Sequence, residues 1–352
     1  MRHVELFSGI GGFRQAMRLL TQDHGPRFSC VAFSEIDQAA LQTYCANFVT
    51  RGEIEIGDIS AFVEQPNAMD TIPRFSLLTG GFPCQSFSMM GAKLGFADAR
   101  GSLFFSMCRL VDFRHPRYLL LENVKNLKTH DGGRTYQVIV QTLERLGYRV
   151  WSDVFNTANF GLPQTRNRIY IFATCGAVPR GFEFSQELVH RHFEELNQTS
   201  LLKFESAREV LSRNAPERYF LSDRIKRTIL SNGTGGFVSR SEIDLRIARP
   251  LCATMAKMHR ACQDNYYSVR FIRSNGRERF VGTVAQAQKE QIRRLMPEEA
   301  FQLQGFDARF VNRVREQYAI SDCNLYKQAG NAVSVNVVYA ILSYLAFHFR
   351  WR

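Results

Sequence analysis

Ten residues, Thr79-Gly80-Gly81-Phe82-Pro83-Cys84-Gln85-Ser86-Phe87-Ser88, set a cysteine in a turn-forming, polar stretch just past an apolar run. A thiolate is a strong nucleophile, and a loop fixed by glycine and proline at a strand end presents one to a substrate. The alternative for any cysteine is a buried structural thiol. That alternative suits Cys30, Cys45, Cys108 and Cys175 better, because they sit inside apolar strand or helix patterns. A neighbouring run, Tyr118–Leu121, ends in Glu122-Asn123-Val124. A carboxyl group there would donate a proton to the substrate that the thiolate attacks. Three further signals point to a ligand. Glycines follow the first run in Phe7-Ser8-Gly9-Ile10-Gly11-Gly12, where the backbone can approach a ligand or simply make a turn. Glu35 and Asp37 close the second run, and Gly57-Asp58-Ile59 follows a third. Acid after the second strand commonly bonds ribose hydroxyls, so the three rims together indicate a nucleoside-bearing cofactor.

The elements that must position these groups are legible as alternation. Val4–Ser8, Cys30–Ser34, Phe75–Thr79, Tyr118–Glu122 and Ile169–Thr174 read as buried strands. Phe13–Leu20, Gln38–Asn47, Ser102–Phe113 and Tyr136–Leu146 read as helices between them. Such alternation predicts an α/β fold around a doubly wound, mostly parallel sheet, whose ligands sit at the carboxyl ends of the strands. The pattern turns irregular after about Ala177. Residues 211–300 carry 17 Lys+Arg against 9 Asp+Glu, a net +8 of the chain's +12. A second, smaller domain is expected there, over 191–324, with 1–190 and 325–352 forming the catalytic domain.

Composition narrows the class. At roughly 150 residues per domain, 352 residues make one to three domains. An apolar share of 45% identifies a globular chain, and the net charge of +12 favours a polyanionic partner. None of the eight cysteines forms a Cys-x-x-Cys pair, which excludes zinc knuckles and thioredoxin-like chemistry; no metal is expected. Met1-Arg2-His3 leads straight into a strand without an apolar leader, so the expected setting is cytoplasmic, with reduced thiols. The uncharged stretch Ala332–Phe349 approaches membrane-span length. Ser334, Asn336, Tyr339, Ser343 and His348 interrupt it, which predicts a buried helix.

Taken in order, the motifs resemble those of the DNA (cytosine-5) methyltransferases of bacterial restriction-modification systems, nearly end to end. Phe7-x-Gly9-x-Gly11 is similar to the family's cofactor motif, and Gly81-Phe82-Pro83-Cys84-Gln85 to its catalytic motif. Glu122-Asn123-Val124 resembles the acid motif and Gln164-Thr165-Arg166-Asn167-Arg168 the Gln-x-Arg-x-Arg strand. Arg294-Leu295 through Gln304-Gly305-Phe306, and Gly330-Asn331-Ala332-Val333, resemble the last two motifs. The resemblance implies a Rossmann-like methyltransferase fold with a smaller target-recognition domain. It implies methyl transfer from S-adenosylmethionine, leaving S-adenosylhomocysteine, to carbon 5 of a cytosine flipped out of double-stranded DNA. Cys84 would add to carbon 6, Glu122 would bond the ring nitrogen and amine, and Arg168, with Arg166 beside it, would bind the base carbonyl. Phe7, Gly9, Gly11, Glu35, Ile36, Asp58, Ile59, Pro83 and Asn331 would hold the cofactor, Ile36 and Ile59 against the adenine. Gln85, Ser88, Arg100, Phe237, Arg240, Arg249 and Arg260 would contact DNA, Phe237 filling the gap left by the flipped base. A monomer is implied, with a separately encoded restriction endonuclease as companion and nucleoid association in a bacterium.

Two departures stand out. Met90 occupies a place where the family often carries a small polar residue, inside the loop Ser86–Gly101 that would close over the base. Pro250 stands where a threonine usually positions a DNA phosphate. Three rival readings remain. A tRNA cytosine-5 methyltransferase would carry a Cys-Phe-Thr tripeptide, which is absent. A catalytically dead DNA-binding homologue is opposed by intact Cys84, Glu122 and Arg168. A nicotinamide oxidoreductase would need a third glycine where Arg14 stands.

Overall fold

Seven short runs pair into one sheet: β1 (Arg2–Leu6), β2 (Ser29–Phe33), β3 (Ile54–Glu55), β4 (Leu77–Gly81), β5 (Tyr118–Val124), β6 (Arg149–Asn156) and β7 (Asn167–Thr174). Their order is β3-β2-β1-β4-β5-β7-β6. The first five strands are parallel, and β7 runs antiparallel to both β5 and β6. Val4, Leu6, Leu77, Leu78 and Leu119–Leu121 are fully buried, as parallel strands covered on both faces require. The covering helices include α1 (Gly12–Gln22), α2 (Gln38–Asn47), α3 (Ile59–Glu64), α4 (Ala68–Thr71), α5 (Leu103–Arg114) and α6 (Arg134–Arg145). This is the doubly wound α/β class expected from the alternation. The strand order reverses between β1 and β4, so a crevice opens at their carboxyl ends.

The computed structural model describes residues 1–83, 103–231, 233–234, 237–238, 242–257, 263–280, 286 and 289–351. Contacts divide the chain into two units. The first comprises Met1–Asn156, Asn167–Ser200 and Val337–Arg352, and the second Thr157–Arg166 and Leu201–Asn336. Residues 157–166 and 325–336 therefore group with the second unit, which the alternation alone did not indicate. The run before Gly57 is β3, only two residues long, and β6 escaped the sequence reading as a half-exposed edge strand with no continuous apolar run.

The second unit has short elements: antiparallel β8 (Gly233–Thr234) with β9 (Phe237–Val238), and β10 (Tyr266–Ser268) with β11 (Ile292–Arg294). Its small apolar cluster of Ile229, Ile243, Tyr266 and Ile292 is supplemented by a buried ion pair. Arg293 reaches both oxygens of Glu299, at 2.8 and 2.7 Å, and the amides of Ser212 and Met296 complete the carboxylate's bonds. A desolvated pair tolerates burial only with such complete bonding. The C-terminal helix Val335–Phe349 is mostly buried, with Tyr344 donating to the Glu183 carbonyl and Tyr339 to Asp23, as a core helix would be.

Glu5 on β1 is fully buried, and its one bonded oxygen accepts from Tyr44 at 3.1 Å. Burial pushes its carboxyl up to about 7 from the ordinary 4.5, against the pull of Arg14. Between those two pH values the folded chain keeps a proton that the unfolded chain releases, so this group costs stability as the pH rises through that window. Glu5→Gln removes the cost. The variant should match the parent near pH 4 and gain up to about 3 kcal/mol at pH 8, measured by urea unfolding at both pH values. A gain that does not grow with pH would show that Glu5 is ionised in the fold.

Candidate active site

The carboxyl ends of β1, β2 and β3 build one rim of the crevice. After Leu6 the chain turns through Phe7, whose φ is +53°, an uncommon value for a residue with a side chain. Gly9 shares that left-handed conformation, and a Cβ added there would meet nothing within 4 Å, so the loop lies open. Gly11 differs: a Cβ would fall 2.3 Å from the Phe48 ring, and the loop packs there only because none exists. Arg14, in the place of a third glycine, is bound to both oxygens of Glu53 and to Tyr44. Glu35 is held by three amides, Gly9 at 2.7 Å, Ile36 at 2.9 Å and Asp37 at 2.8 Å. A carboxylate has about four acceptor positions, so one remains for a ligand hydroxyl.

Ile36 is 68% exposed, an isoleucine face beside that carboxylate. Asp58 is exposed and uses Oδ1 to cap α3 through the Ser60 amide at 2.8 Å. An open glycine turn, a fixed carboxylate, a second carboxylate and a bare apolar face fit a nucleoside with a charged tail. Ile59 departs from expectation. Its side chain is 1% exposed and packs among Phe62, Val63 and Ile72, because the first turn of α3 aims it inward, so it offers no side-chain face to an adenine.

The second rim is made by β4, β5 and β7. Gly81 lies opposite Glu122 in the β4–β5 ladder, and Val124 lies opposite Arg168 in the β5–β7 ladder. Glu122 is nearly buried, and its Oε1 lies 3.3 Å from Arg168 Nε. Asn123, named in the sequence only as part of the acid motif, has a role of its own: its amide donates to the Phe82 carbonyl at 2.8 Å. It thereby ties the strand that carries the acid to the Phe82-Pro83 segment that leads into Cys84. A buried asparagine within an otherwise apolar strand was the available signal. Pro83 is exposed at the end of that segment. Cys84, Gln85, Ser88, Met90, Arg100, Arg240 and Arg260 lie outside the described residues.

The second unit holds the remaining candidates. Arg166 is buried, and its guanidinium donates to the carbonyls of Leu251 at 3.0 Å, Gly330 at 3.0 Å and Ala332 at 2.9 Å. Beside Arg168, where the resemblance put it, Arg166 spends its terminal nitrogens on backbone, and two of these bonds bracket Asn331. Asn331 itself is exposed, as a ligand-contacting side chain must be. Gln164 joins the same arrangement, accepting from the Leu251 amide and donating to the Leu303 carbonyl. Gly330 packs so closely on the backbone of residues 252–253 that a Cβ would come within 2.3 Å of it. Arg249, expected on DNA, turns back to the Glu242 carbonyl at 2.9 Å and is mostly covered. Phe237 pairs with Thr234 in the β8–β9 ladder. Pro250 is exposed and supplies neither hydroxyl nor amide.

Arg166 and Arg168 should separate in a stability measurement. Arg166→Lys leaves carbonyls of a dry site unbonded, at about 1–3 kcal/mol for each group left unsatisfied. Arg168→Lys keeps a cation beside Glu122. Thermal unfolding should fall by several degrees for the first and by little for the second. Equal losses would mean that both are structural.

Comparison with known proteins identifies the lineage and the fold. The family model for C-5 cytosine-specific DNA methylase matches residues 1–346. The chain is 35% identical over 338 residues to the type II methyltransferase M.NlaX of Neisseria lactamica, covering 96% of this chain and 94% of that one. It is 34% identical over 345 residues to M1.ScrFI of Lactococcus lactis subsp. cremoris, covering 96% and 76%. Among solved structures, the Entamoeba histolytica methyltransferase EhMeth superposes with a TM-score of 0.72 at 19% identity, over 99% of this chain and 98% of that one. The S. pombe Dnmt2 methyltransferase gives 0.69 at 19% identity, over the same shares. At such identities the structural likeness speaks for the fold, while the full-length family match and the bacterial relatives speak for the lineage. The chain belongs to the C-5 cytosine-specific DNA methylase family.

Proposed function

We propose that this chain modifies double-stranded DNA at carbon 5 of a cytosine within a short specific sequence, using S-adenosylmethionine. The observation that supports it most is Glu122, paired with Arg168 at the carboxyl end of β5 and tied through the Asn123 strand to the segment entering Cys84. When bound, S-adenosylmethionine supplies an electrophilic methyl group. Glu35 would hold its ribose hydroxyls, Asp58 its adenine amine and Ile36 one adenine face, with Asn331 toward the amino-acid end. Cys84 would add as thiolate to carbon 6 of the flipped base, opening the 5,6 double bond, and would leave again by β-elimination once the carbon-5 proton is lost. Glu122 bonds the ring nitrogen and shares its proton as charge builds there, while Arg168 holds the base carbonyl and keeps the carboxyl in place. Arg166 acts one step removed, by fixing the backbone on either side of Asn331. The reading extends to a monomer in the cytoplasm, and to a companion endonuclease of matching target.

Cys84→Ser should abolish methyl transfer and leave cofactor binding nearly intact. Parent enzyme on duplex DNA containing 5-fluorocytosine should give a complex that survives a denaturing gel, because the carbon-5 substituent cannot leave. No shifted band with active enzyme would count against the thiolate mechanism. Glu122→Gln should slow turnover by about 10² to 10⁴ with DNA affinity little changed. A loss under threefold would make the carboxylate merely structural.

Target choice is assigned to the second unit. Of the 17 basic residues in 211–300, 14 are arginine. The arginine fork can bond both major-groove acceptors of guanine at once. Exchanging 211–300 with a relative of different target should move the methylated sequence to the relative's. An active chimera that keeps the parent's target would refute this assignment.

A further inference from the structure

Four arginines meet at the end of the sheet opposite the active-site rim. Arg2 opens β1, Arg74 precedes β4, Arg114 ends α5 and Arg117 precedes β5. With His115 and Phe113 they line a cleft of about 530 Å³ to which, among the described residues, no carboxylate contributes. The floor is firm: the Ser76 amide donates to the Arg2 carbonyl at 2.9 Å and the Tyr118 amide to the Ser76 carbonyl at 2.8 Å, stitching three strand starts together. Arg114 lies over the half-exposed Phe113 ring at 4.9 Å, and Arg117 over Tyr118 at 5.7 Å. In the interior such charges meet acids, as Glu53 meets Arg14 and Glu299 meets Arg293. Among the described residues none of these four has an acidic partner, and guanidinium groups do not lose their charge at any working pH. Four like charges around one cleft raise the local positive potential, which a bound anion lowers.

We propose that this cleft binds the sugar–phosphate backbone of a second DNA segment, one that is not being methylated. A duplex carries one negative charge per about 1.7 Å of axis, which suits four fixed cations, and Phe113 adds an apolar surface at the rim. It is not part of the catalytic rim: Arg117 and Glu122 stand at opposite ends of β5, about 17 Å apart at roughly 3.3 Å per residue. Binding here reads no sequence, because phosphates carry none. It keeps the enzyme attached to DNA while the catalytic rim is between targets. The inference rests on the DNA-methylating reading of the other rim.

The test counts bound duplexes by sedimentation, with a labelled A·T-only duplex that offers no cytosine. The parent should take one duplex more per protein than Arg74→Ala/Arg117→Ala, whatever the parent's own number. For that extra duplex, log affinity against log salt should slope by about 0.9 for each phosphate contact. Both proteins should methylate a short cytosine-containing duplex within twofold of each other, which shows the variant folded and the catalytic rim intact. Equal duplex counts overturn the proposal. So does a parent that is stabilised against heat by inorganic phosphate or by poly-glutamate more than the variant is, yet binds no extra duplex. Absence of methyl transfer in the parent would count against the catalytic reading instead, and leaves the duplex count to decide this one.

Discussion

The site depends on one constraint: a carboxylate at the end of a central, buried strand must have a cation within reach. Glu122 stands on β5, covered on both faces, where an unpaired charge would be expensive. A parallel neighbour would bring its first residues to the far end of the sheet. Because β7 runs antiparallel, its beginning lies at the carboxyl end of β5, and Arg168 arrives there from the second residue of its strand. The reversed strand is thus what allows an acid and an arginine to share one rim.

A second arrangement keeps backbone, rather than side chains, in place. Gln164 and Arg166 spend their donors on the carbonyls of residues 251, 303, 330 and 332. Side chains with several fixed donors can cross-link loops that share no ladder, and in a dry setting each bond resists exchange with water. Arg166 and Arg168 are two residues apart, and between them the chain passes from the second unit into the first. Their chemistry is identical, and their surroundings give them different work.

The opposite ends of the sheet divide the electrostatic labour. The carboxyl rim gathers Glu35, Asp58 and Glu122, acids that suit hydroxyls, amines and a protonated base. The amino end gathers arginines that have no acidic partner among the described residues. Strand starts and strand ends lie on opposite edges in a parallel sheet, so short segments flanking the same strands can build two surfaces of opposite sign.

Much of the candidate rim's make-up was legible in the chain. Glycine, proline and acid residues stood directly after apolar runs, and parallel strands place such positions together without any knowledge of packing. The order of the motifs supplied the rest of the catalytic reading. What the chain could not express was side-chain direction and partner. Ile59 looked like a rim residue, but the helical turn after Asp58 aims it into the core. Arg166 stood beside Arg168 in the motif, and three carbonyls from distant segments claim it. Cys175 and Cys45 looked buried from their neighbours, but the first is exposed and the second half-covered, because the last residue of a pattern escapes the burial of its middle. Periodicity and spacing determine which edge of an element a residue occupies. Contacts between residues far apart in sequence, such as Asn123 with Phe82 or Arg166 with Gly330, depend on how the elements pack, and only the tertiary structure decides them.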